Sequence, residues 1–102
     1  VEDLGKLAVA QFDDSNAVYA LTRKPTFKIT ERGEIGLGWH LFHDENGKTY
    51  VAHDGGTGGY TSSLILDFQN RKGVIILSNV SALSAGTQYI GKLSAALIRS
   101  EF

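Results

Sequence analysis

The chain has 102 residues, a net charge of −1 and no cysteine. One small domain fits this length, so we expect residues 1–102 to form a single domain. A composition that is 42% hydrophobic and 21% charged is typical of a folded globular protein. The charge balance offers no basic field for phosphates, so we expect no nucleic-acid partner. The lack of cysteine excludes disulfides, thiol catalysis and Cys-type zinc sites.

The first third of the chain predicts one helix and then an irregular stretch. Apolar residues recur at three- and four-residue steps over residues 1–12, which indicates an amphipathic helix. Residues 17–35 have no clear period, and Pro25 is compatible with neither a helix interior nor a central strand. We therefore expect a surface excursion there, with a short strand near residues 27–29.

From Gly36 onward the pattern indicates an antiparallel meander of about four strands, followed by a helix. The strands are predicted at residues 37–42, 49–53, 60–68 and 74–77, with Asn46-Gly47 as a hairpin turn. Residues 74–77 are all apolar, which predicts burial on both faces. Helical spacing returns over residues 85–102, with Ser84 or Thr87 as its cap. The expected fold class is α+β, with both terminal helices on one face of the sheet.

A glycine-rich corner follows the second of these predicted strands. It contains Gly55, Gly56, Gly58 and Gly59, each of which costs about 0.5–1 kcal/mol of backbone entropy in regular structure. Either a tight turn or the close approach of another molecule to bare N–H groups explains such a cluster. A phosphate-binding loop requires a helix next, whereas the residues after Gly59 are typical of a strand.

The three histidines do not form a predicted metal site. His40 and His43 are three apart in a strand, so their side chains point to opposite faces and each is expected to be structural. With no cysteine and no clustered carboxylates, we expect neither a metal nor a cofactor. His53 differs because it ends a strand and adjoins the glycine corner, where an imidazole is able to exchange protons with a bound group.

At this point the motifs resemble those of a known family. The run His53–Tyr60, the later Gly73–Asn79 and the upstream Gly36-Leu37-Gly38-Trp39 resemble the C-terminal part of serine β-lactamase-like proteins. That family includes class C β-lactamases, penicillin-binding proteins (D-Ala-D-Ala peptidases) and related esterases. The resemblance covers nearly the whole chain, and its fold agrees with the α+β expectation.

The resemblance implies roles for five residues. His53-Asp54-Gly55 matches the His-x-Gly form of the family's third motif, so His53 is expected to contact a substrate carboxylate or to assist proton transfer. The backbone N–H of Gly56 is expected to be one oxyanion-hole donor. Asp54, Gly55 and Thr57 complete the expected substrate-binding segment.

Two other motifs of the family do not occur in this chain. None of the serines is followed three residues later by Lys, and no Tyr is followed two residues later by Asn. The nucleophile and its base are therefore expected in a missing N-terminal part of the same protein, and the chain alone is expected to be inactive. The alternative is a binding or interaction module without catalysis.

The resemblance also implies a substrate and a location. The substrate is expected to be a β-lactam, a D-Ala-D-Ala peptide or an ester, handled outside the cytoplasm, for example in the periplasm. Separation from a partner domain is expected to expose Trp39, Phe42, Tyr60 and Phe68, which predicts self-association into a homo-oligomer.

Overall fold

The computed structural model describes all residues, 1–102, as three α-helices and six β-strands. In chain order the elements are α1 (Glu2–Gln11), α2 (Ala17–Thr22), β1 (Phe27–Thr30), β2 (Gly33–Ile35), β3 (His40–His43), β4 (Thr49–Gly56), β5 (Thr61–Asp67), β6 (Lys72–Ser78), a 3-10 turn (Ala85–Thr87) and α3 (Gln88–Arg99). None of the helices is both long enough and apolar enough to cross a membrane.

The six strands form one antiparallel meander in the order β1-β2-β3-β4-β5-β6. Every connection is therefore a hairpin between neighbours, as turn-forming sequences between strands favour. In the β3–β4 hairpin, the Asp44 carboxylate accepts hydrogen bonds from the N–H groups of Asn46 and Lys48, and Gly47 adopts φ +79°. The predicted Asn46-Gly47 turn is confirmed.

Helix α1 covers one face of the sheet, which we name the front face. Its buried Ala8, and Phe12 at its end, join a core cluster with Trp39, Leu41, Val51, Leu64 and Leu66. The register pairs Val51 with Leu66 and with Leu41, so these side chains lie on the same face. Phe12 also meets Phe68 edge-on, with 5.0 Å between ring centroids.

Helix α3 covers the opposite face, which we name the back face. The buried Ser94 hydroxyl donates to the Ser63 hydroxyl over 2.9 Å, and Ser63 alternates with Leu64 along β5. Ile98 on the same helix is 1% exposed. The α+β class and the helices near both termini are confirmed, but the two helices lie on opposite faces rather than on one. Residue periodicity shows which stripe of a helix is apolar and not which face of the sheet receives it.

The strand predictions are correct in type and differ in number and extent. There are six strands rather than four, because the region of residues 17–35 forms α2 and the β1–β2 hairpin. Strand β3, predicted at residues 37–42, begins at His40. Strand β6 is the sheet edge and is half-buried along most of its length, so its apolar run does not reflect burial on both faces.

Two further details differ from expectation. Ser84 caps the 3-10 turn by accepting a hydrogen bond from the Gly86 N–H, and Thr87 makes no side-chain cap to α3. Of the aromatic residues expected at the surface, Phe42 and Tyr60 are exposed, whereas Trp39 is in the core and Phe68 packs against it. Self-association stays a prediction.

A buried ion pair joins β4's start to the end of β5. The Asp67 side chain is fully buried, and its Oδ2 lies 2.6 Å from Lys48 Nζ and 2.8 Å from the Asn70 side-chain nitrogen. Burial alone raises the pKa of Asp67, but the hydrogen bonds from Lys48 and Asn70 and the Lys48 charge together lower it below its ordinary value. The hydrogen bond to Asp67 raises the pKa of Lys48.

These directions predict the pH dependence of stability. A lowered Asp67 pKa adds stability that is complete above about pH 4, the unfolded value, and is lost as the pH falls through the lower folded value. A raised Lys48 pKa adds stability that is complete below about pH 10 and is lost as the pH rises through the folded value. We expect Asp67→Ala to lower the free energy of unfolding at neutral pH by about 3 kcal/mol and to flatten its decline below pH ~4.

The matched control is Asp14→Ala, which removes an 89% exposed carboxylate from its contact with Arg71. Exposed pairs contribute little, so this variant should lose less than about 1 kcal/mol. Urea unfolding of both variants at a series of pH values measures the difference. Equal losses in the two variants would contradict a stabilising role for the buried pair.

Candidate functional site

The glycine corner lies on a length of β4 that has a strand on only one side. The β3–β4 register runs from the pair His43–Thr49 to the pair His40–Ala52 and stops there. The β4–β5 register continues to the pair Gly56–Thr61. Residues 53–56 are therefore paired with β5 alone, and their other edge has no strand beside it. We name this segment the open edge of β4.

The Gly56 N–H points out of this open edge. Just beyond the strand, the Thr57 N–H donates to the Tyr60 carbonyl over 2.8 Å, so these two residues form a hydrogen-bonded pair. Directly opposed residues in an antiparallel ladder alternate between bonded and non-bonded pairs. Gly56 and Thr61 are consequently a non-bonded pair, and the Gly56 N–H and C=O point away from β5. A backbone donor here is accessible to a ligand.

A four-residue turn fixes the end of this strand. The Thr57 hydroxyl accepts hydrogen bonds from the N–H groups of Gly59 and Tyr60, and the Thr57 carbonyl accepts one from the Ala82 N–H over 2.9 Å. The side chain of Thr57 is thus engaged within the turn. Thr57 supports Gly56 from the chain that follows it, and its predicted contact with substrate stays a prediction.

Close packing on opposite faces favours glycine at two of the four positions. A Cβ on Gly56 would lie 2.6 Å from the Ala82 Cβ on the back face, and a Cβ on Gly55 would lie 2.8 Å from the Ser62 hydroxyl on the front face. Gly58 and Gly59, in the turn, have no atom within 4 Å of such a position. The turn explanation applies to Gly58 and Gly59, whereas packing within the chain accounts for Gly55 and Gly56. The close approach of another molecule stays a prediction.

His53 and Asp54 point to different faces. The register places His53 opposite Leu64, on the front face, and Asp54 opposite Ser63, on the back face. His53 is exposed and borders a cleft of about 290 Å3 between α1 and the sheet, with Trp39 and Leu64 in its wall. The structure thus brings His53 and Gly55 to one face, and the Asp54 side chain belongs to the other.

His40 lies near the predicted site residue His53, which sequence reasoning did not anticipate. Its ring centroid lies 6.1 Å from that of His53, although its register with Ala52 assigns His40 to the back face and His53 lies on the front face. The sequence predicted the same structural role for His40 and His43. In the structure His40 lies near His53, whereas His43 contacts Glu34. The signal was present in the hairpin turn, since a turn at Asn46-Gly47 aligns position 40 with position 52.

A second, shallow cleft of about 600 Å3 extends from Gly55 and Gly56 across the ends of the neighbouring strands. Besides the two glycines, its wall contains five hydroxyl-bearing residues, Thr57, Tyr60, Thr61, Ser62 and Ser78, together with Leu77 and Asn79. The Thr61 hydroxyl is buried without a hydrogen-bond partner. The chain contains no group of three or more His, Asp or Glu side chains arranged to hold a metal ion.

The sequence model of the beta-lactamase family matches residues 1–96. The chain belongs to the beta-lactamase family. The match includes β4, the glycine corner and most of α3, so the predicted membership of a serine β-lactamase-like family is confirmed. No curated protein matches the chain.

The packing of Gly56 against Ala82 gives a prediction about stability. Gly56→Ala places a methyl group against Ala82 and should lower the free energy of unfolding by about 1–3 kcal/mol. Gly58→Ala, where the space is open, should change it by less than about 0.5 kcal/mol. Urea unfolding of the single variants measures both values.

The double variant Gly56→Ala with Ala82→Gly tests the cause. It removes the clash and should recover most of the stability that Gly56→Ala loses. If the double variant is no more stable than Gly56→Ala, the proposed contact between these two positions is wrong.

Proposed function

We propose that this chain forms one wall of a serine-hydrolase site for acyl transfer, in which the open edge of β4 holds the substrate. The observation that carries the proposal is the outward Gly56 N–H at an unpaired strand edge, three residues after an exposed imidazole. Membership of the beta-lactamase family supports the reaction class.

The Gly56 N–H is proposed as one donor of the oxyanion hole. When a nucleophile adds to a carbonyl, the oxygen becomes an oxyanion, and a fixed N–H stabilises that charge without reorganising. Ala82 and the Thr57 turn hold Gly56 in place from two directions, which keeps the donor fixed. Loss of one such donor typically lowers the rate by about 10²–10³.

The remainder of the open edge is proposed to position the substrate. An extended acyl chain lying beside residues 53–56 adds as a further strand and pairs with the outward backbone groups of β4. Because Gly55 has no side chain, it leaves room for a substrate on the front face of this segment. His53 is the first residue of the segment. His53 is proposed to contact a substrate carboxylate or to transfer a proton. Peptides, β-lactams and small esters each offer the carbonyl that this arrangement needs.

The attacking group is not among these 102 residues in the form that the family uses. No serine here has Lys three residues later, and no Tyr-x-Asn is present. We propose that a part of the same protein preceding this chain supplies both motifs. A serine needs an adjacent base to become a nucleophile. Neither this chain nor the preceding part is therefore sufficient alone.

We therefore expect the purified chain not to hydrolyse a chromogenic cephalosporin or a p-nitrophenyl ester faster than buffer does. Absorbance assays with the chain at high concentration measure this rate. Turnover by the chain that disappears in His53→Ala would contradict the proposal. It would mean that the chain alone contains all the groups needed for catalysis.

A binding module without catalysis is the second candidate. It is favoured by the same open edge, which is able to hold a peptide even where no nucleophile is present. The parent reading frame separates the two candidates. Ser-x-x-Lys and Tyr-x-Asn upstream of Val1 support the hydrolase, and a stop codon or an unrelated domain there supports the binding module.

A further inference from the structure

Helix α1 leaves part of the front face of the sheet uncovered. Ala8 and Phe12, late in the helix, pack into the core cluster. Leu4 and Leu7, earlier in the helix, instead line the cleft of about 290 Å3 between α1 and the sheet. We name this space the front cleft. It lies between the first turns of α1 and the strands beneath them.

The walls of the front cleft are apolar and carry no fixed charge. Trp39 and Leu64 line it from the sheet, each at most 9% exposed, and the two leucines line it from α1. No Lys, Arg, Asp or Glu lines it, and His53 is the one lining residue that is able to carry a charge. An apolar group gains free energy by leaving water for such a wall, whereas an ionic group loses its hydration there. The front cleft therefore favours an apolar occupant.

The front cleft adjoins the open edge of β4. The register places Leu64 opposite His53 and Ser62 opposite Gly55, and all four positions face the front. Ser62 lines both the front cleft and the cleft of about 600 Å3 beside Gly56, so the two spaces meet at this residue. A ligand at the open edge is thus able to place one substituent in the front cleft.

We propose that the front cleft binds an apolar leaving group of the substrate, such as an aryl or branched alkyl group, and that Leu7 determines which groups fit. This inference rests on the proposed function and extends it by naming the chemistry on one side of the reacting carbonyl. Pockets for whole ligands measure about 300–1,000 Å3, so a space of about 290 Å3 suits one ring-sized group.

Strand geometry decides which part of the substrate reaches the front cleft. A chain that pairs antiparallel with β4 runs from Gly56 towards His53, so the leaving group follows the carbonyl at Gly56 and lies on the His53 side. A strand rises about 3.3 Å per residue, which places His53 about 10 Å from Gly56. Substituents of an extended chain stand roughly perpendicular to the sheet, and one that faces the front enters the cleft.

The test uses the 102-residue chain and N-acetylglycine benzylamide, with N-acetylglycine methylamide as its control. Nuclear magnetic resonance follows the amide signal of Gly56 and the indole signal of Trp39, the single Trp of the chain. We expect the benzylamide to shift both signals with a Kd on the order of 1 mM. The methylamide should shift Gly56 alone and bind at least about tenfold more weakly, because it lacks the ring.

Substitutions on α1 test the role of Leu7. Leu7→Glu places a carboxylate beside the bound ring and should weaken benzylamide binding about tenfold, with the methylamide unaffected. The matched control is Val9→Glu on the same helix, at a 71% exposed position outside the front cleft, which should leave both ligands unaffected. Leu7→Ala widens the cleft and should raise the preference for a naphthylmethylamide over the benzylamide at least about threefold. Circular dichroism confirms that each variant is folded.

The outcomes distinguish this inference from the proposed function. If the benzylamide binds no more tightly than the methylamide and Gly56 still shifts, the role of the front cleft is wrong and the proposed site stands. Equal weakening in Leu7→Glu and Val9→Glu, or an unchanged preference in Leu7→Ala, overturns the role of Leu7. If the benzylamide shifts Trp39 and never Gly56, the ring does not bind as part of a substrate at the open edge, and both proposals are wrong.

Discussion

The turn between β2 and β3 determines how much of β4 is left without a partner. Its closing hydrogen bond runs from the Gly36 N–H to the Trp39 carbonyl over 2.8 Å, and Gly38 adopts φ +85°. The turn is held against α2, because the Leu37 N–H donates to the Thr22 carbonyl and a Cβ at Gly36 would lie 2.5 Å from that oxygen. Strand β3 therefore begins at His40, and β4 extends four residues further. The open edge therefore results from the packing of the β2–β3 turn against α2.

At its other end, β4 has strands on both sides and its neighbouring polar groups are paired. There the chain joins β3 to β4 through a tight turn, and the Lys48–Asp67 pair joins β4 to β5 with the carboxylate fully buried. A buried carboxylate is tolerated only where donors surround it, and Lys48 and Asn70 supply them. One end of β4 is thus held by satisfied polar groups on every side. The other end keeps outward backbone groups free, and that contrast separates the structural half of the strand from the half available to a ligand.

Local patterns predicted the elements, and pairing decided their arrangement. The helix at the N-terminus, the Asn46-Gly47 hairpin and the segment 60–68 follow from periodicity and turn chemistry, which neighbouring residues determine. The opposite placement of α1 and α3 depends on contacts such as Ser63–Ser94, between residues far apart in sequence. The same limit applies to the site. The motif predicted His53 and Gly56 from adjacent residues, whereas the closeness of His40 to His53 depends on the pairing of β3 with β4.

The glycine corner shows how one short segment meets two demands. Gly56 must lack a side chain because Ala82 occupies the back face, and this packing also prevents the residue from moving towards that face. The neighbouring Thr57 turn uses the N–H groups of Thr57, Gly59 and Tyr60, and the Gly56 N–H points out of the open edge. A donor is useful to an oxyanion only if it is both fixed and free. In this chain the close packing fixes it, and the early end of β3 leaves it free.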